Sequence, residues 1–341
     1  MAAYTTIDNP ELYFQVKLWT GNGSNPRTIT LDGDENMQPD MVWYKCRSHA
    51  VPNILLDSVR TAGNDKELQP DDTTAEGGTS ADADGYISAF TSNGFTLTEG
   101  SSGDHYTNEG SRTFVAWGWK ESATAGFDIV SYTGNATDRT ISHSLSAVPK
   151  VIIIKNRSTT NWWHTYHHAL GNNYEVYLNV TNVAGSTDAY QSTDPTSSVF
   201  SLDDSVDGTN GDGNSLIAYL FAEKQGYSKF GSFEGNSSTD GPFIFTGFRP
   251  SMILYKNADY LENWHIQSWK QESLNPNNNQ LTPNENYAES SDSNTNVDFL
   301  SNGFKMRSSH RTSNYSGNTF VYMAFADAPF VNSNGVPCNA R

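Results

Sequence analysis

The sequence predicts an all-β protein of three tandem antiparallel β-sandwich domains, jelly-roll-like in plan. Three observations predict it: an internal threefold repeat, a composition weighted to Ser, Thr, Asn, Gly, Asp and β-formers, and short apolar runs separated by turn residues. The repeat has three signatures. The first is an aromatic-x-Gly-Asn step: Trp19-Thr20-Gly21-Asn22, Tyr132-Thr133-Gly134-Asn135 and Phe233-Glu234-Gly235-Asn236. The second is a proline-led strand ending in lysine, at Pro39 to Lys45, Pro149 to Lys155 and Pro250 to Lys256, with the same spacing each time. The third is an aromatic β-run: Phe114 to Trp119, Leu216 to Phe221 and Phe320 to Phe325. The period of about 100 residues exceeds a solenoid unit and equals a small domain able to bury its own core.

In chain order, residues 1–11 form a leader and residues 12–122 the first unit, a candidate anchor. Its strands are expected at Leu12 to Val16, Arg27 to Thr30, Met41 to Tyr44, Gly94 to Leu97 and Phe114 to Trp119. Between Arg60 and Asp84 the chain is rich in Asp, Gly, Thr and Ala without apolar periodicity, and reads as a mobile surface excursion. The second unit, residues 124–224, contains the run Val151 to Ile154, suited to a central strand covered on both faces. The third unit, residues 226–330, repeats the plan with a polar insertion from Gln271 to Asn296, and residues 331–341 form a tail. No capped amphipathic helix competes. The linkers Ser122 to Ala125 and Lys224-Gln225 are short, which predicts a stiff rod or compact row of units.

Net charge is −17 and the sequence pI about 4.7, with 17 % charged and 12 % aromatic residues. Such a surface repels polyanions, so nucleic acid is not an expected partner. Cys46 and Cys338 read as two lone thiols. No signal peptide and no apolar stretch of the ~20 residues needed to span a bilayer are visible, so the expectation is a soluble product of a cytoplasm. Six Asn-x-Ser/Thr sequences, at Asn22, Asn135, Asn156, Asn179, Asn236 and Asn314, read as turns rather than glycosylation sites.

The strongest candidate site is the strand Trp162 to His168. Strand alternation puts His164, Tyr166 and His168 on one face and Trp163, Thr165 and His167 on the other. The third unit keeps Trp264 and His265 in the corresponding place. Trp163, His164, Tyr166, His168, Trp264 and His265 are therefore candidates for stacking on a sugar or holding a metal. A transition metal needs a third or fourth ligand that nothing nearby supplies, and core Trp with edge His is the favoured reading. The acidic loop offers Asp203, Asp204, Asp207 and Asp212 as calcium ligands, but lacks the EF-hand register, and a solvated hairpin loop is favoured. Calcium aside, no cofactor is expected. Glu262 is the one carboxylate that invites a hydrolase reading, and nucleophile-elbow, zincin and P-loop motifs are absent. Lys45, Lys155 and Lys256 read as strand-end lysines that guard an edge or reach to water.

Together the aromatic-T-G-N step, the V-I-I-I-K strand, the N-W-W segment, the Ser-Asn-Gly-Phe turns at Ser92 and Ser301, and the F-V-Y-M-A-F-A strand carry a resemblance. They resemble a repeated β-sandwich domain of uncharacterised function in structural proteins of marine bacteriophages, notably cyanophages and other short-tailed phages. The ending Phe325 to Cys338 is similar as well, so the likeness spans about residues 12–340. The first unit departs from it, with Pro52-Asn53-Ile54-Leu55-Leu56 where the others carry Trp. The resemblance implies a non-enzymatic virion component, a tail fibre or a capsid fibre or decoration protein. Its expected partners are other virion proteins, copies of itself as a trimer, and host-surface polysaccharide. The alternative is a carbohydrate-active hydrolase or lyase built of sandwich modules.

Overall fold

The proline-led runs become strands buried on both sides, and that double burial dictates the architecture. In the computed structural model, which describes residues 4–78 and 81–338, each unit places four strands in the same order in a main sheet. In the first unit the order is Phe14–Thr20, Thr113–Trp119, Met41–Cys46, Ile54–Asp57. The second unit uses Phe127–Thr133, Ser215–Phe221, Val151–Asn156 and Trp163–His167, extended by Tyr174–Tyr177 and Gly185–Ser186. The third uses Ser228–Glu234, Thr319–Pro329, Phe248–Asn257 and His265–Ser268. All these pairings are antiparallel, and a smaller sheet covers one face of each main sheet. The all-β sandwich prediction holds. Helices among the described residues are short, and none is long and apolar enough to cross a membrane.

Alternation along the central strands shows where the two faces go. Val42 and Tyr44, Ile152 and Ile154, and Ile253 and Tyr255 fill three separate sandwich cores, one per unit. Trp43, Val151 with Ile153, and Met252 with Leu254 turn the other way into one cluster shared by all three units. At its centre the last aromatic of each third signature meets its equivalents. The Trp119 and Phe221 rings lie 6.5 Å apart, Trp119 and Phe325 5.5 Å, and Phe221 and Phe325 5.9 Å, all edge to face. A large side chain of this kind gains about 1.5–3 kcal/mol from full burial. The expected rod or row with independent cores is therefore corrected. The units close around a common core as a pseudo-threefold ring, because each main sheet has two apolar faces and its own small sheet covers only one.

The lysines close the ring. Lys45, Lys155 and Lys256 are fully buried, which overturns the expectation of strand-end side chains reaching water. Each ammonium donates to a carbonyl of its own hairpin loop: Lys45 to Val51 at 2.5 Å, Lys155 to Asn161 at 2.6 Å, Lys256 to Glu262 at 2.7 Å. Each also donates to a carbonyl of a neighbouring unit: Lys45 to Asn286 at 3.2 Å, Lys155 to Thr73 at 2.7 Å, Lys256 to Thr181 at 3.0 Å. First unit reaches third, second reaches first, third reaches second. Such a head-to-tail contact repeated three times closes a cycle. Burial lowers the three ammonium pKa values to about 8, 8 and 7.

The segments that receive the lysines are 67–76, 175–184 and 280–289. Leu68, Val176 and Leu281 pair with the adjacent strands at Leu55, Thr165 and Ile266. The Trp163 indole donates to the Gln69 and Asp72 carbonyls and the Trp264 indole to that of Tyr177. In the first unit Asn53 occupies the equivalent position and its amide donates to the Thr282 and Glu285 carbonyls. The departure noted in the sequence thus preserves the same inter-unit contact with a different donor. Arg157 pairs with Glu76, and Arg47 pairs with Glu289 at 2.7 Å, across two of the seams. The third seam has Ala184 and Ala258 at those positions, joined through backbone alone. There His167 and His168 donate from Nε2 to the carbonyls of Tyr322 and Phe230. Residues 67–76, within the stretch read as a mobile surface excursion, are hence corrected to a docking segment, and the polar insertion from Gln271 to Asn296 contains another, residues 280–289.

The aromatic-x-Gly-Asn step seals one end of each sandwich. A Cβ on Gly21, Gly134 or Gly235 would lie 2.0, 2.1 or 2.2 Å from the carbonyl oxygen of Glu109, Gly211 or Tyr315, so only glycine fits. The following asparagines donate backbone N–H groups to the side chains of Asn108, Asn210 and Asn314. Cys46 and Cys338 are both free thiols.

Candidate functional site

A cleft with an aromatic wall opens in the ring. It lies in the second unit, encloses about 610 Å³, and is bounded by the loop before Trp163–His167, the strand Tyr174–Tyr177 and the four-residue helix Asp207–Asn210. Its wall is aromatic: Trp162 is 43 % exposed, and its ring lies 4.6 Å from that of half-buried Tyr177. Its floor is a buried pair, with His164 Nδ1 2.8 Å from Glu175 Oε2. The other Glu175 oxygen accepts from the Tyr177 hydroxyl at 3.0 Å. Burial and the neighbouring Glu175 carboxylate push the Tyr177 phenol well above its ordinary pKa, so it stays a donor. Asn161, Asn173, Ser186, Thr187, Asp188, Ser205 and Asp207 line the remainder.

Gly208 opens this space. A Cβ there would sit 2.0 Å from His164 Nε2, so any other residue would displace the ring. The third unit has Thr312 at the corresponding place, whose hydroxyl bonds His265 Nε2 at 2.6 Å and closes the gap. There Asn263, Gln280 and Thr282 stand where the cleft has Trp162, Glu175 and Tyr177. The first unit has Pro52, Ile54, Glu67 and Gln69 in the places of Trp162, His164, Glu175 and Tyr177. Trp162, Tyr177 and Gly208 are thus departures of the second unit from the repeat, whereas His164 keeps a counterpart in His265 and Glu175 one in Glu67.

Of the residues singled out in the sequence, only His164 and Asp207 line the cleft. Trp163 and Trp264 are in the shared core, Tyr166 in the second sandwich core, and His265 is buried against Tyr255 and Thr312. His168 is held by the third unit's backbone. Strand alternation holds for Trp163 and Tyr166, but His168 lies past the strand end with its ring stacked on that of His167, and both faces of the strand are covered, so neither forms an exposed His/Tyr platform. Trp162, Glu175, Tyr177, Asp188 and Gly208 were missed. Their signal was available: Trp162 has no aromatic counterpart in the other units, whereas Trp163 matches Trp264.

The calcium candidates also separate. Oxygens of Asp203 and Asp204 gather with Asp138, which was not foreseen, while Asp207 begins the helix at the cleft and Asp212 is exposed outside that group. Asp203 accepts from the backbone N–H and hydroxyl of Ser205, and Asp138 from the Asp204 N–H, so the group is held by turn hydrogen bonds. Glu262 pairs with Arg311, which stacks over Tyr260 at 5.0 Å. A second cleft of about 630 Å³ is lined by Arg249, Asp327, Asn302 and Cys338. It presents no exposed aromatic ring, and Arg249 is taken up by the Trp269 face at 4.3 Å and Asp327 at 3.7 Å.

One family model, a domain of unknown function (DUF7483), matches residues 9–329 in a single span. The chain belongs to the DUF7483 family. The match begins at the leader and ends with the last main-sheet strand, so the DUF7483 unit is the whole ring of three sandwiches. No curated protein and no solved structure matches the chain.

Proposed function

We propose that this DUF7483 ring is a non-enzymatic virion surface protein, a tail-fibre or capsid fibre or decoration component, that binds saccharide through the second-unit cleft. The observation that carries the binding part is the exposed Trp162 ring beside Tyr177, over a hydrogen-bonded His164–Glu175 floor. A sugar ring presents an apolar face to an aromatic side chain and hydroxyls to amide, hydroxyl and carboxylate groups. A few hundred cubic ångströms with an aromatic wall and a few oriented polar groups is the usual form of such a site. A ring with one shared core suits a rigid display platform. The resemblance to marine phage structural proteins supplies the virion part of the reading, with other virion proteins and host polysaccharide as partners. The threefold arrangement expected of a homotrimer is already present within one chain. The first unit, with Ile54 where the cleft has His164, is left for attachment to the particle.

The test is binding of the labelled full chain to an array of bacterial polysaccharides and defined oligosaccharides. Retention of at least one saccharide, lost in Trp162→Ala at unchanged melting temperature, is the expected result. Absence of all binding overturns the adhesive reading, and turnover of the bound saccharide replaces it with the hydrolase alternative, for which the buried His164–Glu175 pair supplies the acid–base groups. Antibody labelling of purified virions tests the particle assignment, and unlabelled particles overturn it.

A further inference from the structure

The cleft's charge distribution narrows its ligand. Its lining contains three carboxylates, Glu175, Asp188 and Asp207, and neither lysine nor arginine. Glu175 is occupied by His164 and the Tyr177 hydroxyl. Asp188 and Asp207 are exposed at the cleft, and their side chains have no ion pair or hydrogen bond among the described residues. At the seams of the ring Glu76 is taken up by Arg60 and Arg157 and Glu289 by Arg47, and in the interior Asp57 is taken up by Arg60. The repeat sharpens the contrast. Counting back from the equivalent asparagines Asn108, Asn210 and Asn314, the place of Asp207 is taken by His105 in the first unit and Arg311 in the third. Only the unit with the cleft puts a carboxylate there.

We propose that the cleft takes an amine-bearing sugar, a hexosamine whose ring lies on Trp162 and whose ammonium is held by Asp188 and Asp207. The proposal rests on the saccharide reading above and adds the ligand's charge. A sulfated or uronic-acid sugar would meet two unneutralised carboxylates in a protein of net charge −17 and is repelled. A neutral N-acetylated sugar keeps the stacking and loses the ion pairs. Two partly exposed ion pairs together are worth about tenfold in affinity, and being exposed they weaken as salt rises.

The experiment is calorimetric titration of the full chain with three oligosaccharides of equal length: a β-linked glucosamine tetramer, its fully N-acetylated form, and a sulfated form. The expected result is about tenfold tighter binding of the glucosamine tetramer than of the N-acetylated one at low salt. That ratio should fall toward one at high salt, and the sulfated form should not bind. In the Asp188→Asn, Asp207→Asn double variant, with its melting temperature checked against the parent, the ratio should also fall to about one. Equal affinity for the amine and its acetamide, preference for the sulfated form, or an amine preference that survives the double variant overturns the proposal. Failure of all three to bind the folded parent also overturns the proposal, and the saccharide reading falls with it when the polysaccharide array shows no binding either.

Discussion

Lys155→Met isolates what the buried lysines contribute. Methionine keeps the length and volume of the apolar stem and removes only the donors. Two charge-assisted hydrogen bonds disappear, to Thr73 at 2.7 Å and to Asn161 at 2.6 Å. Bonds of this type are worth about 1.5–3 kcal/mol each. Two terms reduce that loss. The Thr73 carbonyl keeps the Asn161 N–H at 2.9 Å. The buried ammonium also carries a desolvation cost, visible in its pKa near 8, that the variant no longer bears. A net destabilisation of about 1–3 kcal/mol follows. A lysine reaching into water would change stability by less than about 0.5 kcal/mol. Denaturant melts give the magnitude and hydrogen exchange gives the place. Protection should fall in the docking segment 67–76, far upstream of the substitution in sequence but beneath it in the fold. A loss under about 0.5 kcal/mol, or exchange changes confined to the second unit, would refute the closing role assigned to this side chain.

Three further predictions follow from the same geometry. Burial holds the three lysines near pKa 8, 8 and 7, below the ordinary value of about 10.4. From about pH 8 to 10 the unfolded chain therefore keeps protons that the folded chain has released, and stability rises with pH there. The melting temperature should climb from about pH 7.5 to 9.5, and Lys256→Met should climb less; an equal slope contradicts the assignment. Buried tyrosines such as Tyr132 and Tyr227, whose pKa values are raised by burial, oppose this trend only once unfolded tyrosine ionises near pH 10. Gly134→Ala places a Cβ 2.1 Å from the Gly211 carbonyl oxygen and should cost about 1–3 kcal/mol in denaturant melts; a neutral effect would mean the turn relaxes freely. Arg47→Ala removes the paired guanidinium at the seam between third and first units. It should raise hydrogen exchange in segment 280–289 while leaving 175–184 unchanged, and an equal rise in both would contradict a seam-local role.

The repeat was legible because its three signatures hold close-packed positions. Gly134 faces a carbonyl oxygen, Ile153 and Ile154 each face a core, and Phe221 meets Trp119 and Phe325 at the centre. Ring closure was not legible. A lysine at a strand end satisfies the pattern of an edge guard and of a buried donor equally, and only the fold shows the carbonyls of Thr73, Thr181 and Asn286 waiting for it. The docking segments of the first and third units lack periodicity because one apolar residue each, Leu68 or Leu281, enters the sheet while neighbouring residues dock through backbone carbonyls, whereas the second buries both Val176 and Leu178. The site was half legible: His164 was named, yet its strand partner Trp163 was preferred to Trp162. Two adjacent tryptophans point to opposite sides of a strand entry, and composition cannot say which side is covered by a neighbouring unit. Comparison among the repeats can for this pair, since Trp163 recurs as Trp264 and packs the ring while Trp162 has no aromatic counterpart and lines the cleft.

Trp162 is the one tryptophan among the exposed large apolar side chains of the described residues, so its fluorescence reports on the cleft. The central claim is that saccharide sits on this ring. Acrylamide quenching of the full chain should reveal one readily accessible emitter, and a saturating saccharide retained on the array should shield it. Quenching that is unchanged while calorimetry shows the saccharide bound would place the ligand elsewhere and contradict the account.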